Sequence, residues 1–165
     1  VREWYDLHMR KKIIDPVRKD TTPPEHDWLD VESLAEVEIT SEDAACPIES
    51  ALLPGGAPGW RAAGPGKQTI RLLFASPQRL RRIRLKFVET QRERTQEYVL
   101  RWSADGGTSY REIVRQQWNF SPQGTNDQTE DHVVELAAVT VLELTIIPDI
   151  SGGDAVASLA EWRLA

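Results

Sequence analysis

One cysteine, Cys46, occurs in 165 residues, so no internal disulfide can form. That excludes the disulfide-stapled class of small secreted domains and points to a reducing compartment. Methionine is as scarce: Met9 is the only one, and the sequence opens on Val1. Met9-Arg10-Lys11-Lys12 fits a native start behind a leftover leader, and a fragment cut from a longer chain fits equally well. Residues 1–6 lack the basic start and apolar stretch of a signal peptide. No apolar run reaches the roughly 18–20 residues of a membrane-spanning helix. These absences together predict a cytoplasmic protein. A chain of this length buries roughly 70% of its unfolded surface, enough for a core without metal or disulfide.

Catalytic signatures are missing too. The histidines, His8, His26 and His132, stand in three different regions. There is no Gly-x-Ser-x-Gly elbow, and Cys46 sits beside Pro47 without a nucleophile motif. Gly64-Pro65-Gly66-Lys67 precedes a strand pattern rather than a helix, so it is not a phosphate cradle. No Cys-x-x-Cys or His-x-x-x-His offers a zinc site. Carboxylates abound, but no pattern sets two of them across a substrate. The expectation is a protein that is not an enzyme and has no catalytic residues.

What is present is segregated charge. Residues 1–60 carry a net of −7, residues 61–115 a net of +8, and residues 116–165 a net of −7. In a β-sandwich such segments become neighbouring strands, so basic middle strands are expected to pair with acidic outer ones. The alternative is an exposed basic patch, and the acidic total disfavours DNA as a partner.

Hydrophobic periodicity divides the chain near residue 28. Residues 3–14 read as a short helix with Trp4, Leu7, His8 and Ile14 near one face, ended by Pro16. Thr21-Thr22-Pro23-Pro24 reads as a linker. From Trp28 onward the period is two. Ala35, Val37 and Ile39 alternate with polar neighbours, as do Ile83, Leu85 and Phe87, and then Tyr98, Leu100 and Trp102. Residues 44–66 hold four prolines and five glycines and read as a long loop with defined turns. Asp105-Gly106-Gly107 reads as a tight hairpin turn. Residues 116–131 read as a second long polar loop, and 133–136, 141–147 and 159–164 as the closing strands. The pattern predicts an all-β fold: an antiparallel jelly-roll β-sandwich of about eight strands. Residues 1–27 are then a helical extension and linker, and 28–165 the sandwich domain.

Several segments resemble discoidin (coagulation-factor type C) domains of the galactose-binding-like family. Residues 47–63 resemble the family's loop leading to a Trp before the second strand. Residues 98–114, with Ser103-Ala104-Asp105-Gly106-Gly107, resemble its "Ser-x-Asp-Gly" hairpin. Leu159-Ala160-Glu161-Trp162-Arg163-Leu164 is similar to its closing strand. The resemblance implies a binding module that uses loops at one end of the sandwich. It also implies a structural calcium held by loop carbonyls, a loop Asp and the Glu of the last strand. Glu161 fits the last role, but Leu52–Gly56 has no Asp where the family often has one. A narrower likeness, Trp60-Arg61-Ala62-Ala63 followed by Lys67-Gln68-Thr69-Ile70, is to the amino-terminal domain of the scaffold protein of DNA single-strand-break repair.

The expected ligand is a carbohydrate or other small polar molecule at the loop end. The candidate contacts are Trp60, Arg61, Trp118, Asn119 and Phe120, because an aromatic face beside amide and guanidinium groups suits a sugar. Trp60 also reads as a core plug, and Trp118 and Phe120 as caps on the sandwich end. Arg92 and Arg94 could take an anion. A protein-interaction module, working through the amino-terminal helix or an exposed sheet edge, is the alternative, together with the repair-scaffold-like domain.

Overall fold

The computed structural model describes residues 27–55 and 58–165. The expected helix at 3–14 and the linker lie outside the described residues. Two single-turn helices, α1 (Val31–Leu34) and α2 (Glu49–Leu52), accompany eight strands. These are β1 (Ala35–Ile39), β2 (Trp60–Pro65), β3 (Gln68–Val88), β4 (Arg94–Ser103), β5 (Arg111–Phe120), β6 (Asp127–Ile147), β7 (Val156–Leu159) and β8 (Glu161–Leu164). The expected number of strands is met, and every pairing is antiparallel.

The main sheet runs β1-β3-β6-β4-β5, β8 joins it at β3, and β2-β7 form a separate pair. Two long strands make the sandwich. The register between β3 and β6 breaks repeatedly between Leu73 and Arg82, and such irregularities bend strands. The first half of β3 pairs with β1 and the second half of β6. Its second half pairs with β8 and the first half of β6. Alternation along these strands buries Ile70, Leu72, Ile83, Leu85, Phe87, Leu100, Leu142, Leu144, Trp162 and Leu164 in one core.

Several expected boundaries need correction. Segments 69–74 and 82–88 are two halves of one bent strand, as are 133–136 and 141–147. Residues 116–131 are mostly strand: β5 continues through Phe120 and β6 begins at Asp127. The polar residues there alternate with buried Phe120 and Gln128, and polar side chains on the interior face hid the period. The expected loop at 44–66 contains α2 and β2. Gly59 explains its close packing. It adopts φ +85°, and a Cβ there would lie 2.7 Å from the Leu159 carbonyl oxygen, so only glycine lets this segment press against β7.

Carboxylates, most of them on paired strands, offset much of the basic middle of the chain. Glu38, Arg71, Glu143 and Arg101 lie in adjacent positions across four strands. Arg71 Nε lies 2.8 Å from Glu143, and Arg101 Nε lies 2.9 Å from its other oxygen. Burial pushes the Glu143 carboxyl up, but the hydrogen bonds from Arg101 and Arg71 outweigh it and hold it below its ordinary value. Arg82 and Arg84 share Asp131, Arg79 meets Glu135, and Arg115 meets Glu97. The start of the domain is fixed by Trp28, whose ring lies 5.0 Å and 5.2 Å from the guanidinium carbons of Arg82 and Arg84.

Candidate ligand-binding cleft at the loop end

The register brings four connections to one end of the sandwich. Val88 faces Asp127, Arg94 faces Phe120, and Glu97 faces Ile147. The turns 89–93, 121–126 and 148–155 therefore lie together, and the β1–β2 segment starts at the same end, because Ile39 faces Ile70 and Ser41 donates to Gln68, which lies opposite Ile146.

Arg94 organises this end. Its side chain is 1% exposed and lies 2.9 Å from Glu89. Nη1 donates to the Pro148 carbonyl at 2.7 Å and to Gln96 at 3.1 Å. The guanidinium also lies 4.8 Å from the centre of the Phe120 ring. One buried cation thus ties three connections together. It is consumed by these contacts and is not offered to an outside anion. Arg92 is likewise engaged, 2.7 Å from Asp154, and the pairing joins turn 89–93 to turn 148–155.

Beside this framework lies a cleft of about 320 Å³, within the size range of small-ligand sites. Arg61 and Cys46 line one wall, Thr90, Gln91 and Arg92 another, and Ser158 lies on β7. Arg61 is exposed, and its neighbours on the cleft wall, Arg92 and Asp154, are paired with each other. Val88, 38% exposed, and half-buried Val156 add apolar surface. The cleft can offer guanidinium, amide and hydroxyl hydrogen bonds over a small apolar patch.

The candidate contacts separate in the structure. Arg61 stands at the cleft. Trp60 borders it but is 1% exposed, with its indole nitrogen donating to the Ser41 carbonyl at 3.1 Å. It supports the wall and offers no stacking face, as its core-plug reading expects. Phe120 is fully buried under Arg94 and has no face for a ligand. It fits the reading as a cap on the sandwich end and not that as a ligand contact, because the strand alternation of β5 turns it inward. Trp118 is half-buried against the core, and Asn119 is exposed and accepts from Thr95 Oγ1 at 2.6 Å. These two border a separate shallow depression with Gln117 and Thr125, on the edge strand β5. Sequence reasoning missed Thr90, Gln91 and Ser158 as cleft residues, since Thr90 and Gln91 read as a solvated turn and Ser158 stands just before the predicted closing strand.

Glu161 opens β8, where the resemblance needs its carboxylate. The oxygens around it are spoken for. Arg163 Nη1 donates to the Ala51 carbonyl at 2.8 Å, and Nη2 to the Leu53 carbonyl at 2.9 Å. Arg163 Nε lies 3.8 Å from Glu161. Among the described residues no group of three or more His, Cys, Asp or Glu side chains is placed to hold a metal ion. Calcium takes six to eight oxygens, and here the Ala51 and Leu53 carbonyls are already taken by Arg163. His132, the one described histidine, bonds Tyr98 at 2.8 Å far from the cleft in sequence, and no helix among the described residues is long and apolar enough to cross a membrane.

No family model matches the sequence, and no curated protein matches it. Solved structures do match the fold. A family 32 carbohydrate-binding module of NanJ from C. perfringens, in complex with galactose, is 16% identical with a TM-score of 0.60, over 81% of this chain and 94% of that one. The family 32 module of AlyQ, in complex with 4,5-unsaturated mannuronic acid, is 15% identical with a TM-score of 0.59, over 80% and 95%. A further family 32 module of Clostridium perfringens, in complex with GalNAc-β-1,3-galactose, is 18% identical with a TM-score of 0.57, over 83% and 98%. These likenesses show that the chain shares the β-sandwich fold of these modules.

Proposed function

We propose that this domain is a non-catalytic carbohydrate-binding module that takes a saccharide in the loop-end cleft. The observation that carries the reading is the cleft itself: an exposed guanidinium, Arg61, with Thr90, Gln91 and Ser158 around about 320 Å³. Hydroxyl-rich ligands need several such donors and acceptors in fixed positions. The buried Arg94 node supports the reading, because it holds the loops in place before a ligand arrives. The sandwich is also the one on which the similar modules carry galactose, a mannuronic acid and a GalNAc-galactose disaccharide. Arg61 is the proposed polar contact in the cleft. Trp118 and Asn119 are proposed as a second, shallower contact surface on β5.

DNA binding is not favoured by the charge arrangement. In residues 79–94, Arg79, Arg82, Arg84, Arg92 and Arg94 each have a carboxylate partner, so five of its seven basic side chains are engaged within the domain and are not a free basic face for phosphates.

A glycan array followed by calorimetry tests the proposal. Binding that Arg61→Ala abolishes and Trp118→Ala preserves places the sugar in the cleft. The reverse pattern places it on β5. No binding to any saccharide contradicts the proposal.

A further inference from the structure

We infer that the guanidinium of Arg163 does the work of a structural cation, so that the loop end is built without calcium. The inference rests on geometry independent of the saccharide reading. Helix α2 is one turn long, and its last carbonyls have no partner within the helix. The chain leaves α2 in extended conformation at Leu53, which has φ −101° and ψ 149°. The oxygens of Ala51 and Leu53 are bridged by one planar group, Arg163, at 2.8 Å and 2.9 Å. Arg163 Nη1 also reaches the Trp162 carbonyl at 3.1 Å, and Nε faces Glu161 at 3.8 Å.

A positive centre thus lies among backbone carbonyls and one carboxylate. Those are the ligand types a calcium ion would take. A fixed guanidinium on these oxygens excludes a divalent cation by occupying its donors and by like-charge repulsion. The arrangement also has a sequence logic. Loop residues Leu52-Leu53-Pro54-Gly55-Gly56 carry no acidic side chain, so a divalent ion would be under-compensated by Glu161 alone. A monovalent guanidinium matches that single carboxylate. Its side chain is 12% exposed, and its planar fork holds directions that a lysine ammonium would not.

The loop held in this way leads to Pro58 and Trp60, which border the ligand cleft. Arg163 is therefore a positioning residue for the β1–β2 segment. The consequence is a domain whose loop order does not respond to calcium.

Hydrogen exchange and thermal unfolding, each with millimolar calcium and with a chelator, test the inference. The wild-type protein is expected to show the same Tm and the same exchange at residues 47–55 in both conditions. Arg163→Ala is expected to raise exchange at 47–55 while the strands stay protected, and calcium is expected to restore part of that protection. Arg163→Lys, which retains the charge and the length, is expected to fall between the two and guards against a misfolded alanine variant. Calcium raising the wild-type Tm would overturn the inference. So would unchanged exchange at 47–55 in both variants, or a loosened Arg163→Ala loop that calcium does not restore.

Discussion

Tyr98 and His132 join the two halves of the sandwich: the phenol oxygen lies 2.8 Å from His132 Nε2. Tyr98 sits on β4 opposite Ile146 in the second half of β6, whereas His132 sits in the first half of β6 opposite Ile83. The bond therefore crosses the interior between layers. Phe87 stacks on Tyr98 with ring centres 5.2 Å apart and fixes its orientation. Tyr98→Phe keeps the ring and removes the bond, and should cost about 1 kcal/mol. Urea denaturation checks this as a lower midpoint with an unchanged slope.

The same residue gives an alkaline signature. Burial, and secondarily the charge of Glu130, push the Tyr98 phenol well above its ordinary 10.0. A phenol whose folded value is raised contributes stability that is complete below the unfolded value and is lost as pH rises above it. Stability should therefore fall above about pH 10, and Tyr98→Phe should flatten that fall. Denaturation midpoints across this range measure both slopes, and equal slopes would contradict the assignment.

Glu143 is 1% exposed and serves two arginines. Glu143→Gln removes the charge and leaves Arg71 and Arg101 facing a neutral group. A loss of about 2 kcal/mol is expected, less than for a fully buried pair because both arginines are partly exposed. The wild-type carboxyl is held below its ordinary 4.5. Its contribution is therefore present above that value and is lost as pH falls through the folded value. Acid titration of stability should be steeper in the wild type than in Glu143→Gln.

Asp105 closes the β4–β5 hairpin. It accepts from Ser103 Oγ at 2.6 Å and from the Ser109 backbone nitrogen at 2.9 Å, while Gly106 and Gly107 take φ of +73° and +93°. The hydrogen bonds from Ser103 and Ser109 lower its carboxyl to about 2. The hairpin's contribution should be lost as pH falls from 3.8 toward about 2. Asp105→Ala should remove that step and loosen residues 103–109 in hydrogen exchange.

The fold was legible where alternation put apolar residues inward, as in Ala35–Ile39 and Arg82–Val88. The Asp105-Gly106-Gly107 turn was legible because positive φ favours glycine. The expected balance of charge across strands is met in the ladder from Glu38 to Arg101. Strand continuity was hidden where the interior face is polar. Arg94, Gln96 and Gln128 are all buried, yet each reads as a surface residue in the sequence. Two of the five candidate contacts lie in the core rather than at the cleft surface. Phe120 and Trp60 turn inward, and the cleft takes its polar groups from turns that only the folded chain brings together. The role of Arg163 depends on a contact with Ala51, 112 residues away, which no local pattern announces.

Binding at the loop-end cleft is tested most directly by calorimetry of wild-type and Arg61→Ala protein against saccharides selected on a glycan array. The account predicts a saccharide that binds the wild type, with a loss of tenfold or more (about 1.4 kcal/mol) on removing Arg61. It also predicts the same affinity with calcium or chelator present. Equal affinity of the two proteins, or no bound saccharide at all, would contradict it.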